Sequence, residues 1–123
     1  MNSNLNHRFN NLKKNLFPRW DTYNEWRVTN SNERIYEIEN RLKNRFIGYC
    51  EKKSKTIYLN LQEDDWKIDL LIVHEICHTF RNCSAHGKLW KSKMICVANR
   101  CDKMEKFQLA DQIRHELENY YKF

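Results

Sequence analysis

No apolar run among these 123 residues approaches the length needed to cross a bilayer, and Met1-Asn2-Ser3-Asn4-Leu5-Asn6 carries no apolar signal region. The expectation is a soluble, cytoplasmic protein with no membrane partner. No C-x-x-C pair occurs among the five cysteines, Cys50, Cys77, Cys83, Cys96 and Cys101. That absence argues against a zinc ribbon, and an odd count argues against a disulfide framework, which leaves free thiols in a reducing compartment. Repeats, linkers and low-complexity tracts are also missing, so residues 1–123 read as one domain, long enough to bury about two thirds of its unfolded surface. Pro18 is the sole proline and marks the end of a first helix or the start of a turn.

What is present in excess is positive charge. Lys and Arg number 22 against 16 Asp and Glu, a formal net charge of +6. Such a balance favours acidic partners, DNA among them, although lysines scattered along the chain are equally what a solvated basic surface looks like.

The coarse element pattern is α+β. Leu5, Phe9, Leu12 and Leu16 recur at three and four residues and predict an amphipathic helix over 4–17. Glu25-Trp26-Arg27-Val28-Thr29 alternates as a strand would, and Asn30-Ser31-Asn32 breaks it. Ile35, Ile38 and Leu42 then follow helical spacing, with Asn30 and Glu33 arranged like a capping box, which favours a helix over a strand containing Ile35-Tyr36-Glu37-Ile38. Residues 45–61 predict a hairpin, Phe46–Cys50 and Thr56–Leu61 around a polar turn at Glu51-Lys52-Lys53-Ser54. Gly48 within it signals a bulge or a close backbone approach. A helix from about Asp65 to Arg81, with Glu63-Asp64-Asp65 at its N-terminus, is followed by helices over about 87–100, burying Leu89 or Trp90 with Met94 and Val97, and 103–121, carrying Phe107, Ala110, Ile113 and Leu117.

The chemistry concentrates at His74-Glu75-Ile76-Cys77-His78. Histidines four apart lie one turn apart on one helix face, and the glutamate beside the first is placed to serve as a general base next to a bound zinc ion. Leu70, Leu71, Ile72 and Val73 lead into this motif and bury it, which is costly for two histidines and a carboxylate unless something satisfies them. A catalytic zinc takes three protein ligands and leaves a position open. His86, just past the helix, is the leading third ligand, with Asp102 and Glu105 as acidic alternatives. The metzincin spacing fails here, because its third histidine would fall on Ser84.

HEICH followed by His86-Gly87-Lys88-Leu89-Trp90, and preceded by Ile47-Gly48-Tyr49 and Thr56-Ile57-Tyr58-Leu59-Asn60, resembles the SprT-like zinc metallopeptidase domain, related to the YgjP-like and WLM small zincins. The resemblance implies a zincin-like fold, a small antiparallel or mixed sheet packed on a buried zinc helix. It implies His74, His78 and His86 as zinc ligands and Glu75 as the catalytic glutamate. It further implies a polypeptide substrate, with DNA or DNA-bound protein as a partner. The chain departs from the family's better-known members in having no cysteine cluster like their zinc ribbon.

Peptide hydrolysis by this set has zinc acidifying water towards a pKa of about 7, with Glu75 taking the proton and returning it to the leaving amine. His115, Tyr120 and Tyr121 are oxyanion donors by residue type alone, and the Thr56–Leu61 strand offers either an edge for an extended substrate or a buried central strand. The competing function is a basic nucleic-acid-binding module whose zinc only staples the fold, with Cys77 or Cys83 as a fourth ligand.

Overall fold

The computed structural model describes residues 3–60 and 67–120. Among them are five α-helices and a three-stranded mixed sheet, an α+β arrangement as expected. The elements are α1 (Ser3–Leu16), β1 (Arg27–Thr29), α2 (Asn32–Leu42), β2 (Gly48–Glu51), β3 (Thr56–Leu59), α3 (Ile68–His78), α4 (Lys88–Lys103) and α5 (Phe107–Tyr120). The chain divides into two compact units, 1–75 and 76–123, and the division falls within α3.

In the first unit α1 buries Leu5, Phe9, Leu12 and Leu16, the residues its spacing singles out. Beyond Pro18 the chain winds around Asp21, a left-handed residue (φ 52°) whose carboxylate accepts from the N–H groups of Glu25 (2.7 Å) and Trp26 (3.1 Å). Lys13 reaches this carboxylate at 2.6 Å and also donates to Asn24 Oδ1 at 3.0 Å. The side chains of Lys13 and Asp21 are only 10% and 2% exposed, so removing one leaves an uncompensated buried charge. Lys13→Met is therefore expected to cost about 3–5 kcal/mol in denaturant unfolding. A loss below about 1 kcal/mol, the value of a surface pair, would show that the ion pair does not hold this loop.

Helix α2 is capped by Ser31, whose hydroxyl accepts from Arg34 N, one residue later than the expected capping box at Asn30 and Glu33. The hydroxyl wins because Ser31 takes the extended N-cap conformation that lets its oxygen face the third residue of the helix. Left-handed Lys43 (φ 58°) ends the helix, and the N–H groups of Lys43 and Asn44 both donate to the Glu39 carbonyl. The loop that follows is pinned by Asn60, whose N–H donates to Ile47 O at 2.7 Å and whose side-chain amide donates to Phe46 O at 3.3 Å.

The hairpin forms as expected, β2 antiparallel to β3, with its turn at Lys52–Lys55, one residue on from the expected position. β1 pairs with β3 in parallel, so the order is β1-β3-β2 and β3 is central. Ile57, Tyr58 and Leu59 are all buried, so both faces of this strand are covered. Of the two readings of Thr56–Leu61, the edge for substrate falls and the central strand stands; Leu61 itself lies outside the described residues. Tyr58 packs with Ile35 and Ile38 of α2, flanked by Phe46 and Tyr49. Residues alternate across a strand, so Gly48 and Cys50 of β2, opposite Leu59 and Ile57, belong to the other face.

α3 is described from Ile68, and the proposed cap at Glu63-Asp64-Asp65 lies outside the described residues. Arg8 Nη1 holds Asp69 of its first turn at 3.3 Å. The helix ends at His78 and not at Arg81. Thr79 terminates it, donating both its N–H (2.9 Å) and its hydroxyl (2.6 Å) to Ile76 O, and left-handed Asn82 (φ 63°) turns the chain.

In the second unit α4 buries Trp90, Met94, Val97, Ala98 and Cys101, while Leu89 is exposed. It continues to Lys103, three residues beyond expectation. Left-handed Glu105 (φ 60°) then breaks the chain, so α5 begins at Phe107 and not at Lys103. α5 buries Leu109, Ala110, Ile113 and Leu117, and the expected core residue Phe107 is exposed at its first position. Among the described residues no helix is long and apolar enough to cross a membrane.

Candidate metal centre

His74 and His78 project from successive turns of α3, as their four-residue spacing requires, and His86 comes from the loop between Asn82 and Gly87. One ligand atom from each lies within 4.8 Å of the other two. His74 and His78 are buried and His86 is half-buried. Three neutral imidazoles so placed can hold a metal ion.

The tautomer of His78 follows from its partner. Its Nδ1 lies 2.8 Å from the carbonyl oxygen of Cys83, which can only accept, so Nδ1 carries the proton and the neutral ring keeps its lone pair on Nε2. That Nε2 faces Nε2 of His86 at 3.1 Å. Two nitrogens pointed at one another across this distance share one hydrogen or one cation. An imidazole whose far nitrogen is anchored on a backbone carbonyl is the usual outer support of a metal ligand. Cys83 thus contributes through its main chain. Among the described residues the donor group holds three histidines and no cysteine.

Trp90, fully buried, is the wall behind the second and third histidines. Its ring stacks on His78 (centroids 5.3 Å apart, planes 15° apart) and meets His86 edge-on (4.6 Å, 73°). Trp90→Phe should keep near-native zinc affinity in competition with a chromophoric chelator. Trp90→Leu, which stays apolar but removes the aromatic face and part of the volume, should weaken affinity about 10–100-fold, the usual cost of an outer-shell partner. Equal affinity in both variants would reduce Trp90 to core filling.

Glu75 is buried beside the donors, its Oε2 3.9 Å from His74 Nε2. Gly48 lies against the carboxylate, which makes the glycine in β2 a close approach and not a bulge. Burial first, and then the nearby Glu75 charge, push the Cys50 thiol up to about 12. Burial likewise raises the Cys77 thiol. At neutral pH Cys50 should therefore carry about a thousandfold less thiolate than an ordinary thiol and react correspondingly slowly with an alkylating reagent, whereas Cys96 is exposed. Because the folded-state pKa is raised, this thiol's stabilising effect is intact below roughly pH 8.5 and is lost as pH climbs towards 12. Rapid labelling of Cys50 at pH 7, read by mass spectrometry, would contradict its placement.

Among the described residues the other acidic and oxyanion candidates do not join the group. Asp102 Oδ2 accepts from Arg114 Nη2 at 2.6 Å, and Glu105 sits in the turn between α4 and α5. His115 is exposed with its Nδ1 beside Asn119 Nδ2 at 3.1 Å, and the side chains of Tyr120 and Tyr121 lie outside the described residues. In the first unit a groove of about 770 Å³ is lined by Arg27, Arg34, Lys53 and Lys55 against a single carboxylate, Glu25, which Lys55 holds at 2.6 Å.

In comparisons with known proteins, no family model matches the chain, and no curated protein or solved structure matches it either.

Proposed function

We propose that this chain is a zinc-dependent metallopeptidase of the zincin type, similar to SprT-like domains, with His74, His78 and His86 as ligands and Glu75 as general base. The observation that carries the reading is a three-histidine donor group with a buried carboxylate facing it, Glu75 Oε2 being 3.9 Å from His74 Nε2. The donor set suits zinc, which readily takes imidazole nitrogen. Zinc supplies Lewis acidity there, acidifying water towards neutrality and polarising a carbonyl.

The chain's own residues do the rest. His78, oriented by the Cys83 carbonyl and backed by Trp90, keeps its Nε2 lone pair turned towards the donor group. Glu75 takes the proton of the attacking water and delivers it to the departing amine. β3 is occupied on both sides, so an extended substrate pairs on the outer edge of β2, the strand whose first residue lies against Glu75. The substrate class is polypeptide, with DNA-associated protein favoured by the family resemblance, the net charge of +6 and the basic groove beside β1.

A metal that merely staples a nucleic-acid-binding module has no use for a carboxylate held against its ligands, and such sites are commonly closed by a fourth protein ligand. The test is cleavage of an unfolded polypeptide by zinc-loaded protein, with and without DNA, and after chelation. Zinc- and chelator-dependent cleavage is expected. Stoichiometric zinc with no cleavage under any condition would favour the module.

A further inference from the structure

The chain has two glycines, and they differ in what surrounds them. A Cβ on Gly87 would meet nothing within 4 Å. On Gly48 it would lie 2.6 Å from Glu75 Oε2, 3.1 Å from Cδ and 3.2 Å from Cγ. The first distance is a steric overlap, and the others are tighter than ordinary contact. Gly48 does not have a positive φ, so its backbone conformation makes no demand for glycine. Space alone does. Cys50, two residues along, lies on the same face of β2 as Gly48.

We propose that Gly48 is a positioning residue for Glu75: by having no side chain it lets β2 close against the carboxylate and fix Oε2 on the side facing His74. A glutamate has three rotatable bonds, and a wall that removes the alternatives is what converts a nearby carboxylate into an aligned one. The edge of the sheet that would receive substrate and the group that would move the proton are thereby set by one residue. The proposal rests on the hydrolase reading for its catalytic consequence, though not for the contact itself.

Two measurements test it. In the metal-free wild-type protein, an NMR cross-relaxation peak between the Gly48 Hα and Glu75 Hγ protons is expected, and its absence would overturn the contact whatever the protein does. Gly48→Ala is then expected to bind zinc stoichiometrically and melt cooperatively, with kcat on an unfolded polypeptide reduced about a hundredfold and KM within about twofold. In a Glu75→Asp background, where the carboxylate is withdrawn by one methylene, Gly48→Ala should cost less than about threefold, because the overlap is gone. Wild-type kcat in Gly48→Ala, or an equal loss in both backgrounds, would overturn the positioning role. If the wild-type protein cleaves nothing, the hydrolase reading fails, and the proton contact still decides whether Gly48 sets the carboxylate.

Discussion

Glu75→Gln is expected to retain one zinc per chain and to lose about 10²–10⁴ in peptide hydrolysis, the range for removing a positioned general base. The substitution is nearly isosteric, so the packing against Gly48 persists and the three histidine donors are untouched. What disappears is the ability to accept a proton. A buried carboxylate 3.9 Å from His74 Nε2 serves no packing purpose that an amide would not serve as well, so the loss should appear in kcat with little change in KM. Metal content by elemental analysis and initial rates on an unfolded substrate are the two readings needed. An active Glu75→Gln protein would end the general-base assignment, and loss of zinc would make Glu75 a ligand instead.

His86→Ala is expected to lose the metal. Removing one of three donors should weaken zinc binding by well over the 10–100-fold that loss of an outer-shell partner costs, so the variant should be isolated with substoichiometric zinc and no activity. His86 also packs edge-on against Trp90, at 4.6 Å between centroids, so part of any instability could arise from packing. Comparing metal-free melts separates the two. Zinc at a hundred times its dissociation constant stabilises a folded protein by about 2.7 kcal/mol, and this increment should be present in the wild type and absent in His86→Ala. Full zinc content in the variant would pass the third position to an acidic residue, despite Asp102 being engaged by Arg114.

The amphipathic helices were legible because each has one buried face, and spacing encodes a face. α1 is the plain case: Leu5, Phe9, Leu12 and Leu16 are its buried side. The signals that failed were local. Ser31 displaced Asn30 as the cap, Thr79 and left-handed Asn82 cut α3 short of Arg81, and left-handed Glu105 moved the break between α4 and α5, all through backbone conformations available to many residue types. β3 left two readings open, an edge and a buried central strand, and the sheet decides between them: Ile57, Tyr58 and Leu59 are all buried, and β1 and β2 pair with the strand on its two sides. Pairing of β1 with β3 has no local signature.

At the site, spacing along α3 sufficed for His74 and His78, and proximity past the helix end for His86. The roles of Trp90 and of the Cys83 carbonyl depend on the path of the loop between α3 and α4, which no pattern of residue types specifies. Gly48 stood out as a bulge or a close approach without a partner being evident, since Glu75 is far along the chain and the contact exists only once β2 and α3 meet.

The coordination sphere of the zinc-loaded protein, read by X-ray absorption at the zinc edge, tests the open three-histidine site most directly. Three imidazole nitrogens at about 2.0–2.1 Å with one exchangeable light-atom ligand is the predicted result, and a sulfur shell at about 2.3 Å from a fourth, cysteine ligand would contradict it.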